Sequence, residues 1–364
     1  MDKIVMYIRK SFIADRIFFL CVLVYVAGTF GFVHYHGLSD RFSIFMYINP
    51  ALLQFIPIGI LLYAFYIFYV MTKIRPQKIF SYTFENLKEW LTSYVFFRGV
   101  LIYIAICVFS SAMTSFKYLI PELNPFSWDP AFANFDKLLH GGSAPWQILQ
   151  PLLGHPVISH IIDAVYGFWF IIMLTFVIWF IFISKNELLR KQFISTYVLS
   201  WTINGTILAL FFSSTGPAFF SNIYPEINNP YQGLMTYLNT ANMSYPLLAL
   251  EAQKHLWDWY QVAEVGTASG ISSMPSMHVS IACLVVFACW RTHYVALKLF
   301  GGVFFLVILL GSVHLGWHYA IDGYLSIIST TLIWKFSAYL VSASDCQHNE
   351  LRGKQRDLVL AKDG

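Results

Sequence analysis

Eight apolar stretches of about 20 residues, at roughly 17–36, 48–71, 90–112, 157–183, 193–217, 276–292, 296–315 and 318–342, leave this chain few ways to fold. A helix of that length covers the ~30 Å of hydrocarbon in a bilayer. Of 364 residues, 57% are hydrophobic and 12% charged, and the mean hydropathy is +0.60, which excludes a soluble globular or disordered chain. The expected fold is an all-α polytopic membrane protein with about eight transmembrane helices. The first apolar segment is long, lacks a small-residue cleavage site and is followed by further spans, so it reads as a retained helix.

Lys and Arg set the orientation, because cytoplasmic loops collect them. Seventeen of the 23 fall on the side of the two termini, while Arg41, Lys117, Lys137 and Lys254 fall on the other and Arg98 and Lys335 lie within spans. Both termini are therefore expected in the cytoplasm. The same topology puts His34, His36, His140, His155, His160, His255, His278, His314 and His318 on or near the outer face and leaves His293 and His348 inside. Cys21, Cys107, Cys283 and Cys289 fall in spans and Cys346 in the tail, so no disulfide is expected. The net charge of +4 is accounted for by the inner loops and gives no reason to invoke nucleic acid.

Two outer loops are long enough to be lids or binding surfaces. Residues 113–156 carry the turn Pro121–Pro125, an interfacial segment near Phe132–Leu139 and Gly141-Gly142. Residues 218–274 carry a turn at Asn228-Asn229-Pro230 and a short helix expected near 243–262, with Lys254 and His255 on it. Spans from 90 onward read as one unit. The chain divides into a two-helix extension (1–89), a catalytic membrane core (90–342) and a cytoplasmic tail (343–364).

Titratable residues gather in two short stretches at the ends of spans, Met274-Pro275-Ser276-Met277-His278 and His314-Leu315-Gly316-Trp317-His318-Tyr319-Ala320-Ile321-Asp322. Such groups are costly in or beside hydrocarbon, so a functional site is the default reading. His318 and Asp322 are four apart and share a helical face if the last span begins near His318. The carboxylate can then fix the imidazole tautomer and leave the other ring nitrogen as a nucleophile. Pro275 suits a helix start, where free N–H groups favour an anion. These residues supply most of a phosphoryl-transfer site: His318 to attack phosphorus, Asp322 to orient it, His278 to protonate the leaving oxygen and Ser276 to bond a phosphate oxygen.

Pro275-Ser276-Met277-His278 resembles the second signature of the type 2 phosphatidic acid phosphatase (PAP2) superfamily, usually Pro-Ser-Gly-His. His318-x-x-x-Asp322 is similar to the end of its third. The wording Ser-Met-Pro-Ser-Met-His and Gly-Trp-His-Tyr-Ala-Ile-Asp is closer to the branch that includes inositol phosphorylceramide synthases. The resemblance implies a six-helix core within 90–342, a phosphohistidine intermediate and no cofactor. The third signature normally begins Ser-Arg, where this chain has Gly311 and Ser312. The first, a Lys followed by Arg-Pro, is absent, and the end of the fifth span reads Ser213-Ser214-Thr215-Gly216-Pro217 without a cation. Lys254, His255 and His314 are the substitutes available to hold phosphate.

The expected function is transfer of a phosphoryl group from a phosphorylated lipid to an alcohol or polyol at the extracytoplasmic face, with lipid phosphate hydrolysis as the alternative. Three other readings compete. His278, His318 and Asp322 could be polar glue between helices. With His314 they could bind zinc in a membrane hydrolase. A site without arginines could also serve a non-catalytic lipid transporter.

Overall fold

The computed structural model describes the backbone of residues 2–262 and 269–363, and all regular structure among them is helical. Seven helices among the described residues are long and apolar enough to cross a membrane: Arg16–Tyr35, Ile56–Ile74, Tyr94–Leu123, Pro156–Phe182, Glu187–Phe211, Val295–His314 and Ala320–Ser344. The remaining expected span, 276–292, is instead the 14-residue helix Met277–Trp290. At about 21 Å it is too short to cross hydrocarbon upright. Its surroundings explain the length: Val279, Ile281, Ala282, Leu284 and Val285 are all buried, so this helix is lined by protein on its successive faces.

Two glycines set how closely its neighbours approach. A Cβ on Gly301 would lie 3.1 Å from Cys289 Cβ, and one on Gly323 would lie 2.8 Å from Leu309 Cδ1. Small residues at such crossings let membrane helices pack where no hydrophobic drive separates helix from lipid.

The third span is longer than its apolar pattern, running Tyr94–Leu123 rather than 90–112. Its C-terminal half contains Ser111 and Ser115, whose hydroxyls accept the Tyr47 and Ser43 N–H at 3.0 and 3.1 Å. Lateral pairing satisfies these polar groups and lets the helix continue. The loop expected at 113–156 accordingly shrinks around two helices, Asp129–Leu139 and Pro145–Leu153. The second long loop holds Gln232–Ser244 and Leu248–Val262.

The first span is packed into the rest. Tyr25 OH lies 2.7 Å from Thr206 Oγ1, in a π-helical turn at Ile203–Leu208. Asn204 of that turn donates to Ser280 Oγ on the Met277–Trp290 helix at 3.0 Å. At the opposite end of this span, buried Asp15 binds Arg98 at 2.5 Å and Arg190 at 2.8 Å, and Glu187 bridges the same two arginines. A buried carboxylate needs such partners.

Candidate active site

Two chain reversals bring the site together. The Val295–His314 helix stops at His314, and Gly316, at φ +74°, turns the backbone into the next element. The Trp317 and His318 N–H groups both donate to Ser312 O at 3.0 Å. The last helix begins at Ala320, so His318 stands just before it and Asp322 in its first turn. Asp322 Oδ2 reaches back to accept from Tyr319 N at 3.1 Å and lies 3.2 Å from His318 Nδ1. Ser273 Oγ hydrogen-bonds the same carboxylate oxygen and lies 3.3 Å from His318 Nδ1. Asp322 is fully buried and His318 is 6% exposed. An Nδ1 proton shared with the carboxylate leaves Nε2 with its lone pair.

His278 comes from the other reversal. Ser276 caps the Met277–Trp290 helix by accepting Val279 N at 3.3 Å, which leaves the hydroxyl proton free to donate elsewhere. Ser276 also ties this helix to the last one, because its carbonyl accepts from Ser326 Oγ at 2.9 Å and its N–H donates to Asp322 O at 3.3 Å. His278 follows two residues later, with its ring centroid 5.9 Å from that of His318. Tyr166 stacks on it at 4.6 Å, and Trp169 lies against it at 4.4 Å with its indole N–H on the His278 carbonyl. The His278 ring itself bonds no described residue.

A frame of buried carboxylates that local spacing does not reveal holds these turns. Asp129 accepts from Gly216 N at 2.8 Å, Thr215 N at 3.0 Å and Tyr319 OH at 2.8 Å. Seven residues on, on the same face of the Asp129–Leu139 helix, Asp136 accepts from Ala320 N at 2.8 Å and Ile321 N at 3.0 Å. It thus caps the helix that carries Asp322, where free N–H groups attract negative charge. Burial raises both carboxyls, Asp136 to about 6, although the backbone N–H bonds pull the other way. Asp163 caps Leu248–Val262 in the same manner, at 2.6 and 2.9 Å.

His278, His318, Asp322 and Ser276 are therefore brought together. His314 is not on their face, because the helix ends there. It is buried, with Nε2 2.8 Å from Ser159 Oγ and its ring beside Tyr237. A zinc site would need His314, His318 and Asp322 on one continuous helical face, but the helix ends at His314, and among the described residues no three His, Cys, Asp or Glu side chains are grouped to hold a metal ion. Lys254 and His255 lie exposed on Leu248–Val262, and His255 pairs with Glu251 at 3.9 Å. The inward face of that helix presents Gln253, which donates to Leu315 O at 2.9 Å.

The cation that sequence spacing passed over is Lys117, near the C-terminal end of the third span. It is half-buried, bonds no described residue, and its charge acts on His278. Gly270, three residues before Ser273, packs onto its backbone, where a Cβ would come within 3.1 Å. A lysine inside an apolar helix was the available signal.

A sequence profile of the PAP2 superfamily matches residues 130–336, which takes in His278, His318 and Asp322 and leaves out the first three spans, Arg16–Tyr35, Ile56–Ile74 and Tyr94–Leu123. No curated protein and no solved structure matches the chain. Members of this superfamily are generally phosphatases and phosphotransferases. With more than half of its length under that profile, the chain belongs to the PAP2 superfamily.

Proposed function

We propose that the protein is a membrane lipid phosphotransferase working through a phosphohistidine on His318. The observation that carries this reading is the Asp322–His318–His278 group, with 3.2 Å between carboxylate and imidazole and 5.9 Å between the two rings. In the first step His318 Nε2 attacks phosphorus. The N–P bond forms, the P–O bond to the lipid breaks, and protonated His278 gives its proton to the departing oxygen. In the second step an acceptor hydroxyl returns a proton to His278 as its oxygen attacks phosphorus and the N–P bond breaks. Asp322 holds the imidazole and balances its charge, Ser276 donates its free proton to a phosphoryl oxygen, and Lys117 supplies positive charge nearby.

Transfer to an alcohol is favoured over hydrolysis by the depth of the site. Asp322 and His318 are buried, and the Leu248–Val262 helix docks on nearby Leu315 through Gln253. Restricting water favours a bound acceptor. The resemblance to the inositol phosphorylceramide synthase branch points the same way and suggests a polyol acceptor. With both termini cytoplasmic, the site faces the extracytoplasmic side.

The test is incubation of the purified protein with radiolabelled phospholipids, with and without inositol. Label moving into an inositol-dependent product supports transfer. Label released as free phosphate at the same rate with or without inositol makes the protein a phosphatase.

A further inference from the structure

Tyr166 is the one polar side chain on its face of the Pro156–Gly167 helix without a partner. Ser159 bonds Tyr237 OH at 2.7 Å and His314 Nε2 at 2.8 Å, and Asp163 caps the Leu248–Val262 helix. Tyr166, on the same face, is 5% exposed and its hydroxyl meets no hydrogen-bonding group. A buried hydroxyl left unpaired costs stability, so native interiors rarely keep one without use.

The ring is held firmly from two sides. It stacks on His278 at 4.6 Å with 25° between planes, and its Cδ2 edge covers Gly311. A Cβ at Gly311 would stand 3.3 Å from Tyr166 Cδ2 and 2.9 Å from Ile162 Cγ2, so the absence of a side chain there gives the phenol its place. Of the two aromatic rings closest to His278, Trp169 spends its N–H on the His278 carbonyl, whereas Tyr166 keeps its donor. Asp322, whose Oδ1 is also unpaired, is the charged group that acts on this phenol. The unused donor is thus carried by the ring stacked on His278, and the unused acceptor by the carboxylate that holds His318.

We propose that the Tyr166 hydroxyl contacts the substrate, donating a hydrogen bond to a non-bridging oxygen of the phosphoryl group held between His278 and His318. This rests on reading the site as a phosphoryl-transfer centre. It adds a neutral donor that Ser312 does not supply, since Ser312 Oγ turns back to Leu309 O at 2.8 Å. In a buried site an oriented neutral donor stabilises an oxyanion effectively.

Thermal unfolding of the full-length protein in detergent, titrated with orthovanadate as a phosphate mimic, tests this in wild type, Tyr166→Phe and His318→Ala. The wild type should be stabilised, and Tyr166→Phe should need about 10- to 100-fold more orthovanadate for the same shift, the range for one hydrogen bond to a charged oxygen. Without ligand, Tyr166→Phe should unfold at the same temperature or higher, because it loses only an unpaired hydroxyl; a purely structural tyrosine would lower it. If Tyr166→Phe responds like wild type while His318→Ala does not respond, the Tyr166 contact is wrong and the phosphate site stands. If wild type itself is not stabilised, the phosphoryl-transfer reading fails and this contact fails with it.

Discussion

At the scale of residues, the proposed mechanism needs a cation to face the phosphate. Lys254 and Lys117 both fall on the outer side in sequence, yet one is exposed on a helix surface and the other is half-buried beside the segment leading to Ser273. Lys117→Met should lower kcat/KM about 100-fold, as removal of a charge stabilising a developing oxyanion does, whereas Lys254→Met should leave it within about twofold. Equal losses in both, measured on the same phospholipid, would return Lys254 to the site. The His318–Asp322 pair was legible because four residues of chain nearly suffice to make it. Ser273 and Tyr166 were not, since their contacts with Asp322 and His278 span 49 and 112 positions and arise only when separate helices pack.

At the scale of elements, the Asp129–Leu139 helix governs the site without belonging to it. An amphipathic segment near Phe132–Leu139 was readable as interfacial, but its buried face carries two aspartates, one holding Gly216 and Tyr319 and the other capping the last helix. Helix-end N–H groups have no partner within their own helix, so they draw carboxylates from anywhere in the chain, and local pattern cannot say from where. Asp136 ionises near pH 6 when folded because burial raises it; Asp322 adds to the effect and His140 opposes it. The folded state therefore holds this proton more tightly than the unfolded chain between about pH 4 and 6. Stability from this group is greatest below that window and falls as pH rises through it. The melting-temperature difference between wild type and Asp136→Asn should shift against wild type from about pH 4.5 to about pH 7; a difference independent of pH would contradict this.

At the scale of the whole molecule, the number of helices was largely written in apolar run length, and the exception is instructive. Residues 276–292 read as a span because composition cannot distinguish a helix surrounded by lipid from one surrounded by protein. The orientation predicts that Ser143→Cys, in a Cys346→Ser background, reacts with a membrane-impermeant maleimide on intact cells or sealed right-side-out membranes. Gln77→Cys should react only after permeabilisation; the reverse pattern would invert the protein and its site. The central claim is covalent chemistry at His318, and trapping the intermediate tests it most directly. Wild type quenched during turnover of a 32P-labelled lipid phosphate should carry acid-labile, base-stable label that His318→Ala lacks. Label retained in His318→Ala, or turnover by that variant at the wild-type rate, would contradict the account.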